Sequence, residues 1–79
     1  MIIKVYLFAA LREHVPGTKS GEPIKMEVPE GVNGARLLQE LHITTDEGQI
    51  FLVNGINRDY SEMLHNGDEV AIFPPIGGG

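Results

Sequence analysis

The sequence of 79 residues contains no cysteine and no tryptophan. Without thiols there can be no disulfide scaffold, no cysteine-ligated zinc site and no cysteine nucleophile. Positive charge is also scarce. Six basic residues stand against eleven acidic ones, for a net charge of −5. That balance argues against a nucleic-acid backbone as the main partner. It suits a partner with a basic surface, and it equally suits plain acidic solubility. Long hydrophobic runs are missing as well. The longest uncharged apolar stretch, Val5 to Leu11, is far too short to span a bilayer. Met1-Ile2-Ile3-Lys4 reads straight into a strand and lacks the basic head and apolar stretch of a signal peptide. These absences predict a soluble, cytoplasmic chain, monomeric when free, with neither nucleic acid nor membrane as partner. The apolar fraction of 42% is that of an ordinary globular domain. The length allows one such domain, with a thin core that buries about 60% of the unfolded surface.

Ile2 to Phe8 alternates as a strand, with Ile3, Val5 and Leu7 on one face and Ile2, Lys4, Tyr6 and Phe8 on the other. Ala9 to Glu13 suits a short helical turn, stopped by Pro16-Gly17. A polar loop over Gly17 to Pro23 leads into a half-buried strand, Ile24 to Val28. Asn33 is placed to cap a helix from about Gly34 to Leu41, with Leu37, Leu38 and Leu41 on one side. Gln49 to Val53 is a continuously apolar strand followed by the turn dipeptide Asn54-Gly55. Arg58 to Leu64 reads as irregular or as one helical turn. Asn66-Gly67-Asp68 is a second tight turn, and Glu69 to Phe73 is the last strand, ended by Pro74-Pro75. The order strand, strand, helix, strand, strand predicts an α+β roll with a mixed sheet and one main helix packed across a face. The expected core is Ile3, Val5, Leu7, Met26, Val28, Leu37, Leu38, Leu41, Leu52, Val70 and Ile72.

Side chains suited to catalysis are few. His14, His42 and His65 are scattered, and no metal-ligand spacing links them, so each reads as a surface histidine and no metal site is expected. Ser20 and Ser61 lack a nucleophile-elbow context. Asp68 reads as a turn residue bonded to local backbone. No glycine-rich phosphate loop precedes a helix.

The unusual segment is Pro74 to Gly79. Gly77, Gly78 and Gly79 have no Cβ and can enter a channel that would exclude any side chain. Pro74-Pro75 stiffens the base. Extended, the six residues reach about 20 Å, enough to carry a terminal carboxyl into a partner's active site. Alternation puts Ala71 and Phe73 on the face opposite Val70 and Ile72, beside this tail. A frayed, functionless terminus is the competing reading of the glycines alone.

The stretch Val53-Asn54-Gly55, followed by Leu64-His65-Asn66-Gly67-Asp68-Glu69-Val70-Ala71-Ile72-Phe73-Pro74-Pro75 and the final glycines, resembles the ubiquitin-fold sulfur-carrier family, and within it the molybdopterin branch. Ala10-Leu11-Arg12-Glu13 after the first strand agrees, as does Pro29-Glu30-Gly31 ahead of Leu37-Leu38. The resemblance covers nearly the whole chain. It implies a β-grasp (ubiquitin-like) fold, with residues 1–73 as the domain and 74–79 as a flexible tail. It also implies an adenylating enzyme, related to the ubiquitin activators, that uses ATP to activate the Gly79 carboxyl for conversion to a thiocarboxylate. Gly78 would accompany Gly79 at the reacting end. The molybdopterin synthase large subunit would be the recipient, and this chain would be its small, sulfur-donating subunit, with no cofactor of its own. Phe8 and Phe73, together with Pro74, Pro75, Ile76 and Gly77, would contact partners, with Phe8 beside Phe73 if the first and last strands are neighbours. Three points depart from the family pattern: Gly77 stands where a small residue such as alanine is usual, which should loosen the tail; Gly34 stands where a branched residue is usual; and the segment His42 to Gln49 is short. The last leaves thiamin, tungsten-cofactor or other thio-metabolite pathways open. A ubiquitin-like modifier joined to lysines through Gly79 is the alternative from another class.

Overall fold

The computed structural model describes residues 1–17 and 22–75. Three apolar strands meet at its centre. β1 (Ile2–Leu7) buries Ile3, Val5 and Leu7, as its alternation requires. The second strand, β2 (Ile24–Glu27), pairs antiparallel with it. The chain then crosses as α1 (Gly34–Leu41) to β3 (Ile50–Val53), turns into the two-residue β4 (Ile56–Asn57) and closes with β5 (Glu69–Phe73). The sheet order is β2-β1-β5-β3-β4. β5 lies parallel to β1 and antiparallel to β3, so the strand last in sequence fills the middle of a mixed sheet. This is the β-grasp arrangement. The short helical turn expected after β1 is a 3-10 helix, Ala9–His14. The short β4 is a fifth strand that a two-residue span without strand periodicity did not reveal.

α1 begins where Asn33 accepts a hydrogen bond from the Arg36 N–H at 2.9 Å. It ends at His42, whose left-handed backbone (φ 59°) lets its own N–H return to the last turn. Its buried stripe, Leu37, Leu38 and Leu41, packs in one cluster with Ile3, Val5, Val28, Phe51, Val70 and Ile72. Gly34, the departure noted above, has a packing reason. A Cβ there would sit 2.8 Å from Phe51 Cζ and 2.9 Å from Tyr60 Cδ1. The Phe51 and Tyr60 rings stack with centroids 4.4 Å apart and take the volume a side chain would need. The Tyr60 hydroxyl donates to the Gly48 carbonyl, and burial pushes its pKa up to about 12.

Two expected core positions need correction. Leu52 is half-buried and faces away from the helix, because β3 presents Phe51 and Val53 to the core. The parity of β3 is set by pairing, Phe51 opposite Ile72 and Val53 opposite Val70. A continuously apolar strand carries no alternation from which to read it. Met26 is only partly buried and packs against the cluster from the edge strand. Leu11, Val32, Ile43 and Leu64 are buried core residues outside the regular strands.

The helix side and the open side of the sheet should separate in a stability measurement. Leu38→Ala, which opens a cavity at a site 2% exposed, should cost about 2–5 kcal/mol in urea unfolding. Leu52→Ala, on the other face, should cost clearly less. Equal losses would contradict the placement of Leu52.

Candidate functional site: the open sheet face and the tail exit

The face of the sheet turned away from α1 is built by register. Phe8, Phe73 and Ile50 form the row at the end where β5 runs into Pro74-Pro75. Tyr6, Ala71 and Leu52 form the next row, directly opposite one another across β1, β5 and β3. Lys25, Lys4 and Glu69 form the third. The Phe8 and Phe73 rings stack with centroids 4.2 Å apart and planes 5° from parallel. Phe8 remains 37% exposed. The open face is therefore apolar beside the tail exit and charged further away. Aromatic pairs left in solvent bordering a polar rim have the composition of a protein-docking patch.

Of the residues singled out from the sequence, the structure brings Phe8, Phe73, Pro74 and Pro75 to one end of the sheet. Ile76, Gly77, Gly78 and Gly79 lie outside the described residues. Tyr6, Ile50 and Leu52 join the patch without having been proposed for it. Tyr6 was readable from the alternation of its strand. The other two become outward-facing only once β3's register is known.

Two loops flank the exit of β5 on the helix side, and one contact ties them. His14, in the 3-10 helix after β1, lies with Nε2 2.9 Å from Glu47 Oε2, in the loop before β3. An ionised carboxylate only accepts, so the histidine donates through Nε2. Glu47 also accepts from the Thr44 N–H at 3.0 Å and the Thr44 hydroxyl at 3.1 Å. The Thr44 backbone and hydroxyl bonds, with a smaller contribution from His14, hold the Glu47 pKa below the ordinary glutamate range. His14 is thus half-buried and partnered rather than a plain surface histidine, whereas His42 and His65 are exposed.

The opposite end of the sheet is held by a polar knot. Asp68 accepts from Asn54 Nδ2 at 3.0 Å and from the His65 N–H at 2.8 Å. Asn54 accepts in return from the Glu69 N–H at 3.0 Å. Asp68 is a turn residue, bonded to neighbouring backbone as its position suggested, and its carboxylate is occupied. A groove of about 370 Å³ lies beside this knot, floored by Phe51, Val53 and Leu64 and rimmed by exposed Ile56 and Met63. Among the described residues, no three His, Asp or Glu side chains converge as a metal site. No helix there is long and apolar enough to cross a membrane.

Comparison with known proteins agrees with this geometry. The profile of the ThiS family matches residues 5–79. The molybdopterin synthase sulfur carrier subunit of Arabidopsis thaliana is 34% identical, over 98% of this chain and 82% of the relative. A solved structure from Pyrococcus furiosus, a putative molybdopterin converting factor subunit 1, is 27% identical with a TM-score of 0.71, covering 96% of this chain and 99% of that one. SAMP1 from Haloferax volcanii is 25% identical with a TM-score of 0.72, covering the whole of both chains.

The Glu47 contacts predict the acid limb of stability. Its folded-state pKa is lowered, so the stabilisation is fully present above the unfolded glutamate pKa of about 4.3 and is lost as pH falls through the lower folded value. Urea unfolding between pH 7 and pH 2 should therefore show a steeper acid loss for the wild type than for Glu47→Gln. Parallel curves would contradict the assignment.

Proposed function

The chain belongs to the ThiS family of ubiquitin-fold sulfur carriers, and on that premise we propose that it carries sulfur as a thiocarboxylate on Gly79 for assembly of the pyranopterin cofactor of molybdenum or tungsten. The observation that carries this reading is the juxtaposition of a partly exposed aromatic stack with the residues that lead into the glycine tail. Phe8 and Phe73 sit where β5 gives way to Pro74-Pro75. A partner seated on that stack would receive the tail directly. The 34% identity to a molybdopterin synthase sulfur carrier subunit supports the choice of pathway over thiamin or other thio-metabolites.

In this reading residues 1–73 are the folded unit and 74–79 are the delivery arm, and the free chain is a monomer. The chemistry needs no side chain from the carrier. A carboxylate is a poor electrophile, so an adenylating partner first activates it. The Gly79 carboxylate oxygen attacks the α-phosphorus of ATP and pyrophosphate leaves. Hydrosulfide supplied by a sulfur donor then attacks the acyl carbon; the C–O bond to AMP breaks, AMP leaves, and loss of the S–H proton leaves the terminus as C(=O)–S⁻. The thiocarboxylate is a soft nucleophile that Gly77-Gly78-Gly79 can thread into the large subunit of a molybdopterin synthase. In this reading the chain works in the cytoplasm, where ATP is at hand for the activating partner. Basic groups that stabilise the phosphates belong to the adenylating partner.

The likeness to SAMP1 favours one second reading. With a lysine amine in place of the sulfur donor, the same adenylate would give an isopeptide bond and the chain would be a protein modifier. The intact mass of the protein from its native cell separates the two. Sulfur replacing one oxygen supports the carrier, and isopeptide-linked adducts support the modifier.

Two variants test the mechanism. Deleting Gly79 retracts the carboxyl by about 3.5 Å while leaving the fold untouched. A misplacement of about 1 Å can cost on the order of a hundredfold in a positioned reaction. Single-turnover adenylation and thiocarboxylate formation should therefore fall by at least that factor with unchanged melting, and a normal rate would refute the reading. Phe73→Asp should abolish binding to the large subunit while shifting the melting temperature little. A collapsed melt would make Phe73 a core residue instead.

A further inference from the structure

We propose that Lys4 and Lys25 form a cationic corner of the docking face that receives a carboxylate on the partner protein, fixing which way round the partner sits. This rests on the reading that the open sheet face is where a partner docks. Lys4 and Lys25 are directly opposite across the antiparallel β1–β2 pair, and both are exposed. Their neighbours Ile3 and Met26, and Val5 and Ile24, are paired on the core side, so both ammonium groups stand on the open side. Like charges directly opposite in a sheet are destabilising, so the pair does not serve the fold.

The other described cations are differently placed. Arg36 pairs with Glu40 at 3.1 Å, and Arg58 pairs with Glu62 at 3.2 Å. Arg12 Nε donates to the Ala9 carbonyl at 3.4 Å. Among the described residues no carboxylate lies within 4.0 Å of Lys4 or Lys25. On a chain of net charge −5 they are two positive charges outside any ion pair at one edge of the apolar patch. The row Tyr6–Ala71–Leu52 begins two residues along the strands, about 7 Å away.

Charge and surroundings together define the occupant. Glu69 lies in register beside Lys4 on β5, and Glu27 follows two residues after Lys25 on β2. An extended polyanion would meet these carboxylates on either side of the lysines. A single partner carboxylate needs only the two lysines that the register brings together. The apolar rows require a matching apolar surface, so the occupant is a protein patch bordered on one side by Asp or Glu. Complementary charge at such a rim acts mainly on association rate and orientation, and is screened by salt.

The single variant Lys25→Glu separates this role from general damage. It replaces a repelling cross-strand pair with an attracting one, so the melting temperature should rise slightly or hold. Association with the cognate molybdopterin synthase large subunit, followed by stopped flow, should slow about tenfold or more at low salt, with the deficit closing at high salt. Lys25→Gln should fall between the two. Association of Lys25→Glu within twofold of wild type at low salt, while Phe73→Asp loses binding, would overturn the lysine proposal alone. Wild-type binding by Phe73→Asp would remove the docking reading and this proposal with it.

Discussion

The structure depends on β5 lying between β1 and β3. Those two strands do not pair with each other, and each pairs with the last strand instead. Val70 and Ile72, both fully buried, carry the core side of that insertion and meet Val5, Leu7, Phe51 and Val53 in register. The Leu37, Leu38 and Leu41 stripe of α1 has a continuous floor only because this strand is present. Parallel pairing of the first and last strands also brings both C-terminal strand ends, Phe8 and Phe73, to the same pole.

That one placement divides the motif residues between two poles. Val53-Asn54-Gly55 and Gly67-Asp68-Glu69 look like parts of one functional pattern when met in a row. In space they form the knot at the pole away from the tail, where Asn54 and Asp68 satisfy each other and the backbone of Glu69 and His65. Their work is to end β3 and start β5 in register. Phe73, Pro74 and Pro75 belong to the other pole, where the proposed chemistry would be delivered. A pattern that spans both poles is specific because it encodes a fold and a site together, with few residues serving both.

Much of this was legible from residue order. Strong alternation in Ile2 to Leu7 gave the inward set of β1 without ambiguity, and Asn33 with the leucine spacing located α1 to the residue. Asn54-Gly55 marked its turn through the positive φ that both positions adopt. The parity of β3 was not legible, because four apolar residues in succession have no periodic signal. Leu52 was therefore assigned to the wrong face. The 3-10 geometry after β1, the two-residue β4 and the burial of Leu11, Val32, Ile43 and Leu64 depend on tertiary packing over loops. The Lys4–Lys25 juxtaposition also depended on register, since the two residues are far apart in sequence and come together only when β2 folds back on β1.

The position of β5 has a consequence for how the protein is made. The middle strand of the sheet is the last of the five to be synthesised. Until it emerges from the ribosome, the nascent chain holds at most a β1–β2 ribbon, a helix with no floor and a minimal β3–β4 hairpin, each marginal alone. The domain therefore closes only once β5 is available. A chain cut short before Glu69 has two half-sheets that cannot be joined and a leucine stripe open to proteases. The same strand that leads into the glycine tail thus also locks the sheet, so the tail follows directly on the last piece the β-grasp core requires.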